Sequence, residues 1–547
     1  MKNTGKQLLS AGLLSVAAGF MLFLFAPLEI YFNNKYEFWF DFYDLFPICI
    51  LMFIVSGMIS FLFLFFLSKI NRRVCDCFLA FYLLAFLCTY IQGNFMVGNL
   101  PRLDGSFVDW SQYLELRISS IVLWLVMTGL LLLAVRKVSL ERVAENAGFV
   151  AGLISLVLLV TLFTLGVSKH GLEQKFSMSN TTYHMLEMST DQNLVVLVLD
   201  TVDGNAMTEA IDTHPEYRQV LSDFTYYNNT MSAYPFTIYS VPYLLSGEWY
   251  EDQEEFIDFA KRIYRTSPLF ENLEQRGYRL GMYEDEAYRL EECMFRFENM
   301  IDTSPKVSSV VQFAKLEMKL IGFKYMPYDL KRFCLTIPAE FQTLEKAVDT
   351  EAYENFSSED QTFYAMLKKT QISYTDQKCF KFIHLMGAHS PWHLDAELNE
   401  IENATYEQSI EASMTIVTEY LQKLKDSGTY DNTAIMIISD HGYNIEDDNS
   451  SENRQHPILF VKGVDEHYEE LQISAAPISQ SDYMDAYTRL LDRKTGEEVF
   501  DYREGDARER RYLFYEYEEP THFYEYMQTG YAGDEDTMYF TGVEITP

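Results

Sequence analysis

With 547 residues and a formal charge of −36, from 79 acidic against 43 basic side chains, the chain exceeds one compact domain. It also lacks the surplus of basic side chains that nucleic-acid binding requires. Such acidity serves solubility outside the cell and stands against broad adhesion to anionic lipid.

Residues 1–168 hold five apolar stretches, roughly 8–31, 46–68, 74–96, 118–135 and 148–167. Each is close to the ~20 residues that cross a bilayer core. Lys2 and Lys6, then Lys69, Arg72 and Arg73, then Arg136, Lys137 and Arg142 mark alternate loops as basic. The other loops carry Glu37, Asp41, Asp44, Asp104 and Asp109 with only Lys35, Arg102 and Arg117. The positive-inside rule puts the N-terminus in the cytoplasm. An odd number of spans then places everything after residue 168 outside, in a multi-pass plasma-membrane protein whose first span is an anchor and not a cleaved signal.

Residues 169–192 lack a clear period and read as a juxtamembrane linker. From 193 on, strand candidates at 193–200, 277–284, 379–387, 433–440 and 458–463 alternate with helix candidates such as 266–276 and 404–426. The latter carries Ile410, Met414, Val417, Leu421 and Leu424 near helical spacing. Alternation of this kind predicts an α/β sandwich with a mostly parallel sheet over 193–504. Residues 505–547, rich in Tyr, Glu and Arg, read as a small α+β appendage. Of the seven cysteines, Cys49, Cys75, Cys77 and Cys88 lie in or beside apolar stretches, leaving Cys293, Cys334 and Cys379 outside. Three permit at most one disulfide within the chain, and no Cys/His spacing matches a structural zinc site.

Three segments carry chemistry. NLVVLVLD ends at Asp200, and TAIMIISDHG ends in Asp440, His441 and Gly442. Both are continuous β-branched runs, as expected of buried parallel strands, whose carboxyl ends are where open α/β sheets bind ligands. Asp and His there can turn toward one cation, with Gly442 freeing the backbone to turn. Alone, an Asp-His pair often only braces a loop, and a strand-end Asp often caps the next helix. The third segment, TIYSVPYLLSG, starts a predicted helix at Thr237, whose free N–H groups suit a phosphate. A threonine hydroxyl becomes a nucleophile when a divalent cation lowers its pKa; otherwise it merely caps the helix.

These residues, in this order, resemble the sulfatase branch of the alkaline phosphatase superfamily. Thr237-Ile-Tyr-Ser-Val-Pro-Tyr-Leu-Leu-Ser-Gly is similar in spacing to the C-x-P-S-R-x-x-L-L-T-G signature of true sulfatases, with Thr237 at their modified cysteine. Tyr239 and Val241 replace the signature's Pro and Arg, so a formylglycine sulfatase is not expected. Threonine behind five spans resembles lipoteichoic acid synthases and lipid A phosphoethanolamine transferases instead. The resemblance implies an alkaline-phosphatase-like α/β domain in which Asp200, Thr237, Asp440 and His441 hold one divalent ion, Mn(II) or Zn(II), with Thr237 as nucleophile. HLMGAHSPWH resembles the family's G-x-H-x-P stretch, making His389 a candidate phosphate contact. His393 and His456 are weaker candidates near strand ends, and a second metal would have to draw on His389 and His456.

The implied activity is transfer of a lipid head group from a membrane phospholipid to an envelope glycan or polymer. Phosphoglycerol is preferred, because phosphoethanolamine transferases of this type carry several outer disulfides. The acidic surface opposes an anionic donor and product unless a local basic patch offsets it. A phosphodiesterase or sulfatase-type hydrolase would use the same nucleophile with water. A non-enzymatic lipid sensor or partner-binding protein would have lost the site, which is intact here.

Overall fold

The computed structural model describes every residue except 1, 99, 104–107, 252, 285–294, 347–353, 445–452, 517–520 and 547. Cys293 and the loop charge of Asp104 therefore lie outside the described residues. The chain divides into two compact units, 1–177 with 303–348, and 178–302 with 349–547.

The first unit is built on five helices long and apolar enough to cross a membrane: α1 (Gly5–Asn33), α2 (Phe42–Ile70), α3 (Arg72–Phe95), α4 (Trp110–Val138) and α5 (Leu140–Ser168). They coincide with the five apolar stretches and make this a membrane protein. A π-helical turn, Met21–Phe25, interrupts α1 just before Pro27. Asp41 opens α2 with a capping box closed by Asp44. Residues 303–348, which the sequence pattern assigns to the catalytic domain, fold with these helices instead. They contain α8 (Val310–Tyr325) and α9 (Tyr328–Lys331), so numbered because α6 (Gly204–Thr213) and α7 (Thr237–Ser246) precede them. Phe313, Leu320, Phe341 and Leu344 share one buried cluster with Leu28, Tyr31, Phe40, Leu45 and Cys49.

The second unit is organised by a seven-stranded sheet. Its strands are β1 (Asn193–Leu199), β2 (Thr225–Tyr227), β3 (Tyr278–Tyr283), β4 (Lys378–Leu385), β5 (Thr433–Ile438), β6 (Leu459–Lys462) and β7 (Gln472–Ser474), in the spatial order β7-β2-β6-β5-β1-β4-β3. β3, β4, β1 and β5 are mutually parallel, as their continuous apolar runs predict. β6 is antiparallel to both β5 and β2. A parallel return from β5 would need a crossover, usually a helix, and none is seen among the described residues between them. Helix α10 (Tyr406–Ser427) packs Ile410, Val417, Leu421 and Leu424 into the core, and Gly428 ends it in a left-handed conformation.

Two readings differ from the structure in detail. Residues 178–192 are not a free tether: Met178–Asn180 pairs with Met300–Asp302, and Glu187–Ser189 pairs with Ser373–Thr375. The C-terminal appendage is a three-stranded antiparallel sheet, Arg510–Phe514, Phe523–Gln528 and Met538–Ile545, with only a 3-10 turn at Glu535–Thr537 among the described residues.

Candidate active site at the carboxyl edge of the sheet

The register of the parallel strands brings their last residues to one edge. Ile438 of β5 lies beside Val198 of β1, Leu199 beside Leu385 of β4, and Ile383 beside Tyr283 of β3. The polar residues that follow these runs, or close them, are therefore neighbours across the edge: Asp440, Asp200, His384 and Glu284.

Asp200 is not a helix cap. That role falls to Asp203, whose carboxylate accepts the backbone N–H groups of Asn205 and Ala206 at the start of α6. The chain turns between them at Thr201, held at φ 56°, where its N–H reaches Asp440 Oδ1 at 3.4 Å. Freed from capping, Asp200 gathers with Asp440 and His441 so that one donor atom from each lies within 4.8 Å of the others. All three are buried, and Asp200 Oδ1 and Asp440 Oδ2 have no hydrogen-bond partner among the described residues. His441 Nδ1 donates to the Gly442 carbonyl at 2.7 Å, which leaves Nε2 as the lone-pair atom, 3.4 Å from Asp440 Oδ2 and 3.8 Å from Asp200 Oδ1. Two unpartnered carboxylate oxygens and an imidazole lone pair converging in a buried space fit a divalent cation.

Thr237 completes the group. The residue preceding α7 is Phe236, which makes no side-chain cap, and Thr237 is the first helical residue. Its hydroxyl donates to Asp200 Oδ2 at 3.4 Å, so it serves the carboxylates and not its own helix. The positive dipole end of α7 opens beside it. Gly442 plays a different part from that expected. It has no positive φ, and a Cβ there would stand 2.9 Å from the His456 carbonyl oxygen. It is small for packing, not for turning.

His384 was not among the residues the sequence singled out, although it opens the HLMGAHSPWH segment. It lies 4 % exposed in β4, with Nδ1 hydrogen-bonded to Glu284 and Nε2 3.6 Å from Asp200 Oδ2. Burial would lower its pKa, but the Glu284 and Asp200 carboxylates hold it well above the ordinary imidazole value. The same pairing overrides the effect of burial on Asp200, which stays below the usual carboxylate range. Asp440, buried against the Asp200 charge, is raised. The signal was a histidine as the penultimate residue of an apolar strand, which also describes an ordinary core histidine. Arg454 is a second residue missed. It is buried, with its guanidinium 4.7 Å over the Phe236 ring, itself 6.1 Å from the ring of His441.

The remaining histidines are less close. His389 is exposed, its Nδ1 2.6 Å from the Ser390 carbonyl, within electrostatic reach of Asp200. Its loop is pressed on the site through Gly387, at φ 58°, where a Cβ would come within 2.6 Å of the Asp200 nitrogen. His393 is exposed and bonds within its own loop, to the Pro391 carbonyl. His456 is buried, bonded through Nε2 to the Asn228 carbonyl, and burial lowers its pKa to about 4. It lines a cavity of about 520 Å³ that also touches Asp203 and Tyr443, which follow Asp200 and His441 in the chain.

Comparison with known proteins follows this geometry. The Sulfatase family model matches residues 192–492. Among solved structures, the chain is similar to a protein of the alkaline phosphatase superfamily from Vibrio parahaemolyticus, with 13% identity over 67% of this chain and 85% of that one and a TM-score of 0.36. The lipoteichoic acid synthase LtaP from Listeria monocytogenes gives 14% identity, 63% and 86% coverage, and a TM-score of 0.34. The C-terminal periplasmic domain of the phosphoethanolamine transferase EptC from Campylobacter jejuni gives 13% identity, 58% and 95% coverage, and a TM-score of 0.31. No curated protein sequence matches.

Proposed function

We infer, from the premise that this chain belongs to the sulfatase family, that it is a membrane-anchored, metal-dependent phosphotransferase. It moves a phosphoglycerol head group from a membrane phospholipid, through phospho-Thr237, to a hydroxyl of an envelope glycan or polymer. The observation that carries this reading is the Thr237 hydroxyl, first residue of α7 and hydrogen-bonded to Asp200 inside the Asp200–Asp440–His441 group. Those three side chains and the hydroxyl would hold a divalent ion, Mn(II) or Zn(II), which when bound would supply Lewis acidity that lowers the hydroxyl's pKa and offsets charge on phosphoryl oxygens.

In the first step the Thr237 Oγ1–P bond forms, its proton having gone to water, and the P–O bond to the lipid's diacylglycerol breaks. His389 at the exposed rim protonates the departing alkoxide, so diacylglycerol leaves as an alcohol. In the second step the acceptor hydroxyl gives its proton to His389 and its oxygen to phosphorus, and Thr237 leaves and is reprotonated. The positive end of the α7 dipole stands beside the phosphoryl group in both steps. Loop charges place the N-terminus in the cytoplasm and the second unit outside. Anchoring by five spans raises the effective concentration of a lipid donor. Phosphoglycerol is preferred to phosphoethanolamine because each described cysteine is free, leaving no disulfide framework among the described residues.

The test is mass spectrometry of purified protein incubated with Mn(II) or Zn(II) and phosphatidylglycerol or phosphatidylethanolamine. A glycerophosphate adduct on Thr237 with released diacylglycerol, absent from Thr237→Ala, is expected. A phosphoethanolamine adduct would reassign the head group. Adduct-free turnover that Thr237→Ala leaves unchanged would sink the mechanism.

A further inference from the structure

The segment 303–348 leaves the second unit in sequence and folds with the membrane helices. Its partners lie at one end of those helices, the end remote from residue 2. The Trp39 indole donates to the Phe341 carbonyl at 2.8 Å, and Gln92 near the end of α3 donates to the Met326 carbonyl. Ser120 near the start of α4 accepts the Tyr328 N–H at 3.3 Å, and Arg117 pairs with Asp329 at 3.0 Å. The Tyr325 ring is seated so closely on Gly93 that a Cβ there would meet it at 2.2 Å. One face of α8 and α9 is thus committed to the ends of the spans.

Other side chains on and just after these helices are apolar and uncovered. Val311 and Phe333 are 66% and 69% exposed, and Met318 and Leu330 are about half so. Val311, Lys315 and Met318 fall four and seven residues apart and form one stripe of α8. In the much larger second unit, Ile257 and Ile473 are exposed singly, and the exposed Tyr539, Phe540 and Val543 share one strand, none of the three above 45%. A clustered apolar face of this kind is unusual against water.

Charge supplies a second, independent observation. The segment holds seven Lys and Arg against four Asp and Glu in a chain that is otherwise strongly acidic. Lys319 and Lys324 are paired with Glu340 and Glu29, and the Lys331 ammonium donates to the carbonyls of Phe323 and Lys324. Lys315 and Arg332 instead stand exposed beside Met318 and Phe333, with the Arg332 guanidinium 4.9 Å over the Phe333 ring. Neither has a carboxylate partner among the described residues.

We propose that residues 303–348 form an interfacial element whose outward face rests on the membrane surface, with Val311, Met318, Leu330 and Phe333 in the lipid and Lys315 and Arg332 on anionic phosphodiester head groups. The occupant is the phospholipid leaflet itself. The element is bonded to the span ends through Trp39, Gln92, Ser120 and Arg117, it combines apolar side chains with flanking cations as interfacial helices do, and its charge is opposite to that of anionic lipid. The element is the local basic patch that an otherwise acidic protein needs in order to work at an anionic surface, and it stands whether or not Thr237 carries a phosphoryl group.

The experiment uses the full chain in nanodiscs of phosphatidylcholine with or without phosphatidylglycerol. Lipids bearing a photoactivatable diazirine on the acyl chain near the glycerol are activated, and adducts are mapped by mass spectrometry. Val311, Met318 and Phe333 should label like the span residue Leu125 and well above Ile257 and Ile473. Hydrogen exchange over 310–333 should slow when phosphatidylglycerol is present, by about five-fold for each engaged cation. The increment should vanish in Lys315→Glu/Arg332→Glu, with Leu125 labelling unchanged as the check on folding. Labelling of Val311 and Phe333 no higher than that of Ile257 would overturn the proposal and leave a protein partner or second copy as the occupant. Equal exchange in the two lipids, unaffected by the double variant, would overturn the anionic-lipid contact.

Discussion

In the second unit the strands β1 and β5 are closed to solvent, while two carboxylate oxygens without a hydrogen-bond partner among the described residues, Asp200 Oδ1 and Asp440 Oδ2, meet at one edge of their sheet beside His384. In the first unit apolar side chains face outward, Leu125 at 68% and Phe163 at 74% exposure, and polar ones turn inward to bond one another. There Gln7 donates to Asp76 at 2.7 Å, Ser10 to the Ala144 carbonyl at 2.6 Å, and Ser120 to Gln92 at 3.1 Å. Valine, leucine and isoleucine build both regions, so an apolar run encodes a solvent and not a depth. Inside a bilayer a polar pair is structural glue; at a buried strand end, polar atoms left unpaired mark a place for a ligand.

Three measurements test that contrast at the site and in the packing. The largest effect expected is on Thr237. If the strand-edge group is catalytic, Thr237→Ala should lose about 10³-fold or more of head-group release, and unfolding should scarcely move because the side chain is only part-buried. Retained turnover would reduce the edge to a structural cluster. Next come paired truncations of like residues. Ile437→Ala in β5 should cost about 2–5 kcal/mol of stability. Leu125→Ala, on the outward face of α4, should cost well under that, since its side chain exchanges one apolar contact for another in lipid. Chemical denaturation of the protein in detergent, read by near-UV circular dichroism, separates the two, and equal losses would contradict an outward, lipid-facing Leu125. The third is the metal. At a free Mn(II) or Zn(II) concentration of about 100 times Kd, the second unit should gain about 2.7 kcal/mol, seen as a higher unfolding temperature reversed by chelator. Asp440→Asn should abolish the gain, and an unchanged shift would move the ion elsewhere.

Much of this was legible before the structure. Length and hydropathy specify the five spans, and the strand-end Asp200, Asp440 and His441 were readable because long β-branched runs stop abruptly in polar residues. Thr237 was readable only beside them. What stayed hidden had sequence patterns with two equally ordinary meanings. His384, inside an apolar strand, is indistinguishable from a core histidine until Glu284 is brought beside it by the pairing of β3 with β4. The α8 sequence, VVQFAKLEMKLIGFKY, is amphipathic in the way any packed helix is. Nothing local states that Phe313 and Leu320 will bury against membrane helices and not against the sheet. The long-range chain path decides that.

Glu317 departs from the inward pairing of the first unit and gives the smallest step, resolved per pH unit. It is 2% exposed on the docking face of α8, its Oε2 has no hydrogen-bond partner among the described residues, and burial raises its pKa to about 8. A carboxyl whose folded pKa lies above the unfolded value binds more protons in the native state between those two values. Stability should therefore fall as pH rises from about 4.5 toward 8, by up to ~1.4 kcal/mol per unit, and level off above 8. Glu317→Gln keeps the shape, stays neutral throughout and should flatten that slope, with little difference from the native protein near pH 5. Unfolding of the two proteins across this range, followed by hydrogen exchange of α8, measures it. An unchanged slope in the glutamine variant would mean that Glu317 finds a proton donor or water at the α8–span contact. The first unit would then pair all its buried acids, as the contrast with the strand edge demands.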